Sequence, residues 1–317
     1  MAWSKPQTGE IRAVLREYAP QLANEPIEFF AEGWEYWAFR AGDYVLRFPR
    51  PIVDLHRLPE DATNLNSLEV ERRMLPELSR HLSVPLPDTN VFEHGPNGAP
   101  FAIHRMLPGE PVMFASRPPG SNFGRDFGRL LRELHTFPVE RAVELGVSVV
   151  EGPALRERHA RQYEAVIRRV FPIVSCEART RIEQVYETYL NHDASFEFEP
   201  CLLHQDLDMN CLIDSQTGEL SGLIDFGGLV VSSPAIDLWL PVFGLERLGV
   251  ADQLAVCLAE AGIDEAQLSR MMPEIEFCDF NFPVIDILSG LERDDEVQIE
   301  DGIHHLNASL PRDLHCD

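Results

Sequence analysis

Two aspartates separated by 19 residues carry the chemistry most visible in this chain. Asp206 lies in Leu203-His204-Gln205-Asp206-Leu207-Asp208-Met209-Asn210-Cys211-Leu212-Ile213, and Asp225 in Leu223-Ile224-Asp225-Phe226-Gly227-Gly228. Between them stand two short apolar runs joined by the turn Ser215-Gln216-Thr217-Gly218. This pattern predicts a hairpin with the two carboxylates at its ends, and pairing of the strands brings those ends together. Phosphoryl transfer uses such a pair: one carboxylate orients and deprotonates an attacking hydroxyl, and the other holds Mg2+ against nucleotide phosphates.

The elements that must position this pair can be read on either side of it. Helical spacing of Ile11, Val14, Leu15 and Tyr18 predicts a first helix from Gly9 to Leu22. Aromatic and β-branched residues in Ile27–Phe30, Tyr36–Arg40 and Tyr44–Phe48, the last two joined by Ala41-Gly42-Asp43, predict strands. A helix over 65–82 and a second strand pair at Val91–Glu93 and Phe101–His104 complete a small β-rich first part. Leu107-Pro108-Gly109-Glu110-Pro111 reads as a hinge. Beyond it, helices are expected at 122–135, 155–170, 177–192, 251–261, 264–272 and in a final segment through 306, with a β-rich island at 201–231. The fold class expected is therefore α+β and bilobal, with residues 1–106 as the smaller lobe and 107–317 as the larger.

At these motifs the chain resembles the aminoglycoside phosphotransferase family, whose fold is protein-kinase-like. His204-Gln205-Asp206-Leu207 resembles the family's H-G-D-L, and Ile224-Asp225-Phe226-Gly227 its I-D-F-G. Ser233-Pro234-Ala235-Ile236-Asp237-Leu238 resembles the following P-x-x-D-L segment, whose Asp braces the catalytic loop. Tyr44–Pro49 is similar to the third strand and Leu107–Glu110 to the hinge. The nearest pattern is that of the 2''-aminoglycoside phosphotransferases.

The resemblance implies Asp206 as catalytic base, Asp225 as Mg2+ ligand and His204 as a structural pin of the loop. It implies ATP or GTP as donor, with Gly33 in the phosphate-covering loop 31–36 and His104 and Met106 at the hinge beside the base. The cation for the phosphates is normally a lysine, but Lys5 is the only lysine here and lies outside any strand. Arg47 takes that place, with Glu71, or secondly Glu69, as its helix partner. At the second metal position the family has Asn or His. Here stands Cys211, a soft ligand poorly suited to Mg2+, with Asn210 one residue earlier. That departure leaves open a catalytically impaired nucleotide-binding protein on the same fold.

Charge bears on the acceptor. The chain has a net charge of -25, and residues 111–317 hold 36 acidic against 16 basic side chains. Such a surface repels nucleic acid and anionic membranes and attracts cations. Asp208, Glu276 and Asp279, with Glu274 and the acidic residues of 294–301, are candidate contacts for a cationic small-molecule acceptor. An aminoglycoside fits best, and choline, homoserine or a macrolide are alternatives within the same reaction class. Six cysteines without a C-x-x-C pair, no long apolar run and no apolar leader at the N-terminus give the expectation of a cytoplasmic protein.

Overall fold

The computed structural model describes residues 4–33, 35–50 and 64–310. Its first lobe is a five-stranded sheet in the order β1-β2-β3-β5-β4. The strands are β1 (Ile27–Glu32), β2 (Tyr36–Ala41), β3 (Tyr44–Pro49), β4 (Asn90–Phe92) and β5 (Phe101–Arg105), and every pairing is antiparallel. Strand periodicity divides β3 between two faces. Leu46 and Phe48 pack with Trp37, Phe39, Phe101 and Ile103 against Ile11 and Leu15 of α1 (Thr8–Tyr18). Arg47 therefore points to the opposite side, toward α2 (Asn64–His81).

The second lobe begins after the hinge. Gly109, at φ +127°, sits so tightly against the later hairpin that a Cβ would lie 2.5 Å from Ser221 Oγ and 2.9 Å from the Ile213 carbonyl. Only glycine meets both demands, and the hinge is thereby fixed on the strands that carry the site. The larger core gathers α3 (Phe123–His135), α4 (Val139–Glu144) and α9 (Leu254–Ala261). A neighbouring core gathers α5 (Gly152–Arg169), α6 (Cys176–Leu190), α10 (Glu265–Arg293) and α11 (Glu296–Ala308). Short helices α7 (Leu207–Asn210) and α8 (Leu245–Arg247) flank the site region.

The expected β island is two small sheets. One has the order β10-β9-β6, from β6 (Glu110–Pro111), β9 (Cys211–Ile213) and β10 (Leu220–Leu223). The other has the order β7-β11-β8, from β7 (Ser148–Val149), β8 (Cys201–Leu203) and β11 (Val230–Ser232). One expectation is corrected: the segment 264–272 does not end at Pro273. A single 29-residue helix, α10, runs to Arg293 with Pro273 and Pro283 inside it. Its start is fixed by a capping box in which Asp264 accepts from the Gln267 amide at 2.7 Å and Gln267 accepts from the Asp264 amide at 2.9 Å. Packing against α5, α6 and α11 carries it past the prolines. Among the described residues, no helix is long and apolar enough to cross a membrane.

Candidate active site

Pairing of β9 with β10 sets Cys211 opposite Leu223, and the Ile224 amide extends the ladder to the Asn210 carbonyl at 3.1 Å. Asp206, one helical turn before this point, and Asp225, one residue after it, thus come out at the same end of the hairpin. Asp225 takes a left-handed conformation (φ 60°), as does Gln205 (φ 75°), placing one unusual backbone position on each side of the site.

The loop bearing Asp206 is held from beneath by Asp237. Its buried carboxylate accepts the Gln205 amide at 2.8 Å and the His204 amide at 3.1 Å, and His135 Nε2 lies 3.3 Å from it. The His204 ring ties the two halves of the site together. Its Nε2 donates to the Ile224 carbonyl at 3.0 Å, and its ring meets Phe226 edge-on at 5.2 Å. Burial lowers its pKa, so the ring is a neutral pin. Gln205 Nε2 donates to the Gly228 carbonyl, joining the loop to the D-F-G turn a second time.

Asn210 Nδ2 donates both to the Asp206 carbonyl at 2.8 Å and to Asp206 Oδ2 at 2.9 Å, which fixes the orientation of that carboxylate. The Asp206 residue is open to solvent, but its carboxyl is crowded by the cleft and by the charges of Asp208 and Asp225. Desolvation first and those charges second raise its pKa. Asp208 is raised too, chiefly by burial.

Across the cleft, Arg47 Nη2 pairs with Glu71 Oε1, and Arg47 Nη1 lies 3.7 Å from Asp225 Oδ1. Burial alone would lower the guanidinium pKa. The charges of Glu71 and Asp225 outweigh it, so the pKa is raised and Arg47 remains a cation. Glu69, the second candidate partner, instead binds Arg72 and Arg73 on the helix surface. His104 is buried on β5, and desolvation followed by the Arg47 charge lowers it to about 4, so its imidazole is neutral. The Met106 amide donates to the Asp43 carbonyl at 2.8 Å. Gly33 is exposed at the β1–β2 turn, where Arg50 Nη1 donates to its carbonyl at 2.7 Å. Trp34 lies outside the described residues. Glu35 reaches from this turn to the D-F-G segment, where a Cβ on Gly227 would meet its Oε2 at 2.9 Å.

Four of the candidate ligands stand elsewhere than the pattern suggested. Cys211 is fully buried in the larger apolar core, packed away from the carboxylates of the site, and desolvation drives its thiol pKa well above the usual range. Asp279 is already engaged: Trp239 Nε1 donates to its Oδ1 at 2.8 Å and Arg247 Nη2 at 2.6 Å. Glu276 is exposed on α10 and is not among the residues lining the pocket beside Asp208. Glu274 is buried, with one oxygen accepting from Ser233 Oγ at 2.6 Å. Trp239, buried in the larger core, also borders a pocket beside Asp208 together with Phe282 and Leu240. Its position directly after the P-x-x-D-L segment was the available signal.

Among the described residues, no three His, Cys, Asp or Glu side chains converge as a metal cage. For Mg2+ this is no obstacle, because Mg2+ keeps waters and phosphate oxygens and needs only one or two protein oxygens. The half-exposed carboxylate of Asp225 and the amide oxygen of Asn210, whose nitrogen is already committed, are the hard donors that fit.

The family model for the phosphotransferase enzyme family, APH, matches residues 26–270, spanning both lobes and every motif above. The chain belongs to that family. It is a phosphotransferase with the kinase-like APH fold.

Solved APH-fold structures agree in architecture. The GDP and kanamycin complex of APH(2")-IIIa shares 24% identity over 93% of this chain and 96% of that one, with a TM-score of 0.77. A type I macrolide 2'-phosphotransferase shares 24% identity over 96% and 98%, at a TM-score of 0.69. The apoenzyme of a macrolide 2'-phosphotransferase from Brachybacterium faecium shares 20% over 95% and 99%, at 0.64. No curated protein sequence matches the chain significantly.

Proposed function

We propose that this phosphotransferase moves the γ-phosphoryl group of ATP or GTP to a hydroxyl of an amine-bearing small molecule, in the manner of the aminoglycoside and macrolide enzymes that share its fold. The observation that carries the reading is the meeting of Asp206 and Asp225 at one end of the β9–β10 hairpin, with the Arg47–Glu71 pair reaching Asp225 from the other lobe.

Asp206 accepts the proton of the attacking hydroxyl and orients its oxygen in line with the phosphorus. In a loose transition state, orientation outweighs basicity. Asn210 holds the Asp206 carboxylate for that task through Nδ2. Arg47 is fixed by Glu71 through one nitrogen and presents the other toward the phosphates, a use of the planar guanidinium fork that an ammonium group would not reproduce. Asp225 and the Asn210 amide oxygen are the residues that would hold Mg2+, which when bound offsets negative charge on the triphosphate. Gly33 and the β1–β2 turn lie over the phosphates, and His104 and Met106 border the base.

Calorimetric titration with ATP and GTP tests the nucleotide half of this assignment. Adding Mg2+ should tighten binding by roughly tenfold or more in the wild type, and Asp225→Asn should lose most of that gain. Equal Mg2+ dependence in the two proteins would remove Asp225 from the metal.

A further inference from the structure

Glu35 carries a carboxylate to which the motifs assign no role, and it stands where the two lobes meet. It lies in the turn between β1 and β2, half-buried, one residue before Tyr36. Backbone bonds close that turn: the Gly33 amide donates to the Tyr36 carbonyl at 2.9 Å, and the Arg50 amide to the Glu35 carbonyl at 2.9 Å. The side chain is aimed by α2, where Ser67 Oγ donates to Glu35 Oε2 at 3.1 Å and also meets the Tyr36 hydroxyl. Tyr36 is itself buried beside Leu68 of that helix. Backbone and carboxylate of Glu35 are thus both held.

From there Oε2 reaches the D-F-G turn of the second lobe. A Cβ built on Gly227 would lie 2.9 Å from it and 3.5 Å from Asp225 Oδ1. One carboxylate oxygen from each lobe therefore borders the same small gap beside the Gly227 backbone, and a residue without a side chain leaves that gap open. Arg47 adjoins it. Its Nη1 lies 3.7 Å from Asp225 Oδ1, too far for a hydrogen bond, and its buried Nε has no partner. A buried guanidinium with an unpaired N–H is suited to a phosphate oxygen.

The charges around the gap do not suit a bare triphosphate. Glu35 and Asp225 both border it, Glu71 takes one nitrogen of Arg47, and the Arg50 guanidinium is engaged by Glu32 and the Gly33 carbonyl. Phosphates entering beside two carboxylates are repelled unless a divalent cation enters with them. Hard oxygens of this kind, one or two from the protein beside waters and phosphate, are what Mg2+ takes. We propose that Glu35 is a specificity residue for the donor. It admits the nucleoside triphosphate as its Mg2+ complex and rejects metal-free nucleotide, facing the cation from the first lobe while Asp225 faces it from the second. This rests on the reading of the site as a phosphotransferase centre.

Calorimetric titration of the full chain with ATP and with GTP, each with Mg2+ and again with the metal chelated, tests this. Glu35→Gln keeps the side-chain length and an oxygen for Ser67 Oγ but removes the charge. Two unit charges a few ångströms apart change an affinity about threefold or more even in water. The variant should therefore bind metal-free nucleotide about threefold or more tighter than wild type, while the Mg2+ complex binds no tighter. The gain from Mg2+ thus shrinks by about threefold or more. Glu28→Gln makes the same charge change at an exposed position of β1 and should leave both affinities within about twofold of wild type. A Mg2+ gain in Glu35→Gln equal to that of wild type would overturn the inference and leave the phosphotransferase reading standing. Equal effects of the two variants would also overturn it, because Glu35 would then act only as part of the general charge. Wild-type protein that binds neither nucleotide in the presence of Mg2+ would instead sink the underlying reading.

Discussion

Glu274 offers a quantitative test of how the catalytic loop is supported. Its side chain is 3% exposed, it accepts from Ser233 Oγ at 2.6 Å, and its second oxygen has no partner. Ser233 begins the turn that delivers Asp237 to the His204 and Gln205 amides, so this contact joins α10 to the base of the loop. Burial pushes the Glu274 carboxyl from 4.5 up to about 7, with the Ser233 bond opposing only part of the shift. A carboxyl raised on folding favours the folded state while it is protonated. That advantage fades as pH climbs from the unfolded value through the folded one. At 1.36 kcal/mol per unit, a rise of two to three units makes the ionised group cost about 3 kcal/mol at pH 8 and about 1 kcal/mol at pH 5. Glu274→Gln keeps the shape and the acceptor for Ser233 but removes the ionisation. The variant should therefore melt close to wild type near pH 5 and about 5–10 °C above it near pH 8. Thermal denaturation of both proteins across this range measures the difference, in which the other titrating groups cancel. A constant difference at both pH values, or a variant less stable at pH 8, would refute the reasoning.

Further expectations follow from the same contacts. Arg47→Lys should lower kcat/KM for the nucleotide by about 10–100-fold, because an ammonium group cannot serve Glu71 and the phosphates at once; unchanged nucleotide kinetics would contradict the fork geometry. Cys211→Asn, which restores the residue type expected at the second metal position, should lower stability by about 1–3 kcal/mol without raising activity. It would place an unpaired amide in the apolar core, and a gain in Mg2+ affinity would show the thiol position to be a ligand site after all. Arg247→Ala should release Asp279, loosen Trp239 and raise the acceptor KM severalfold with little change in nucleotide KM, as read from two-substrate kinetics.

Much of this was legible in the sequence because the chemistry is local. His204-x-Asp206 and Asp225-Phe226-Gly227 bracket a short hairpin, and a two-residue periodicity sufficed to bring their ends together. The Arg47–Glu71 pair was legible through the family resemblance, which sets Arg47 in the place of the third-strand lysine, and the structure shows why it faces α2: β3 buries Leu46 and Phe48 on its other face. What escaped depended on tertiary contact. Whether Asn210 or Cys211 faces the site is decided by the one-turn helix α7, which ends at Asn210 and starts β9 with Cys211 in the core. Asp279 reads as a free anion on a late helix until Arg247 and Trp239, more than 30 residues earlier, are seen to hold it. Pro273 reads as a helix end because backbone rules favour a stop there, and packing of α10 overrides that preference.

The central claim is that Asp206 orients and deprotonates the acceptor while Asp225 serves the nucleotide. Single-turnover phosphoryl transfer by Asp206→Asn, measured beside nucleotide binding by the same protein, addresses it most directly. The account predicts transfer reduced by about 100-fold or more, with nucleotide and Mg2+ affinity within about threefold of wild type. Transfer at the wild-type rate, or loss of transfer only in proportion to lost nucleotide binding, would contradict it.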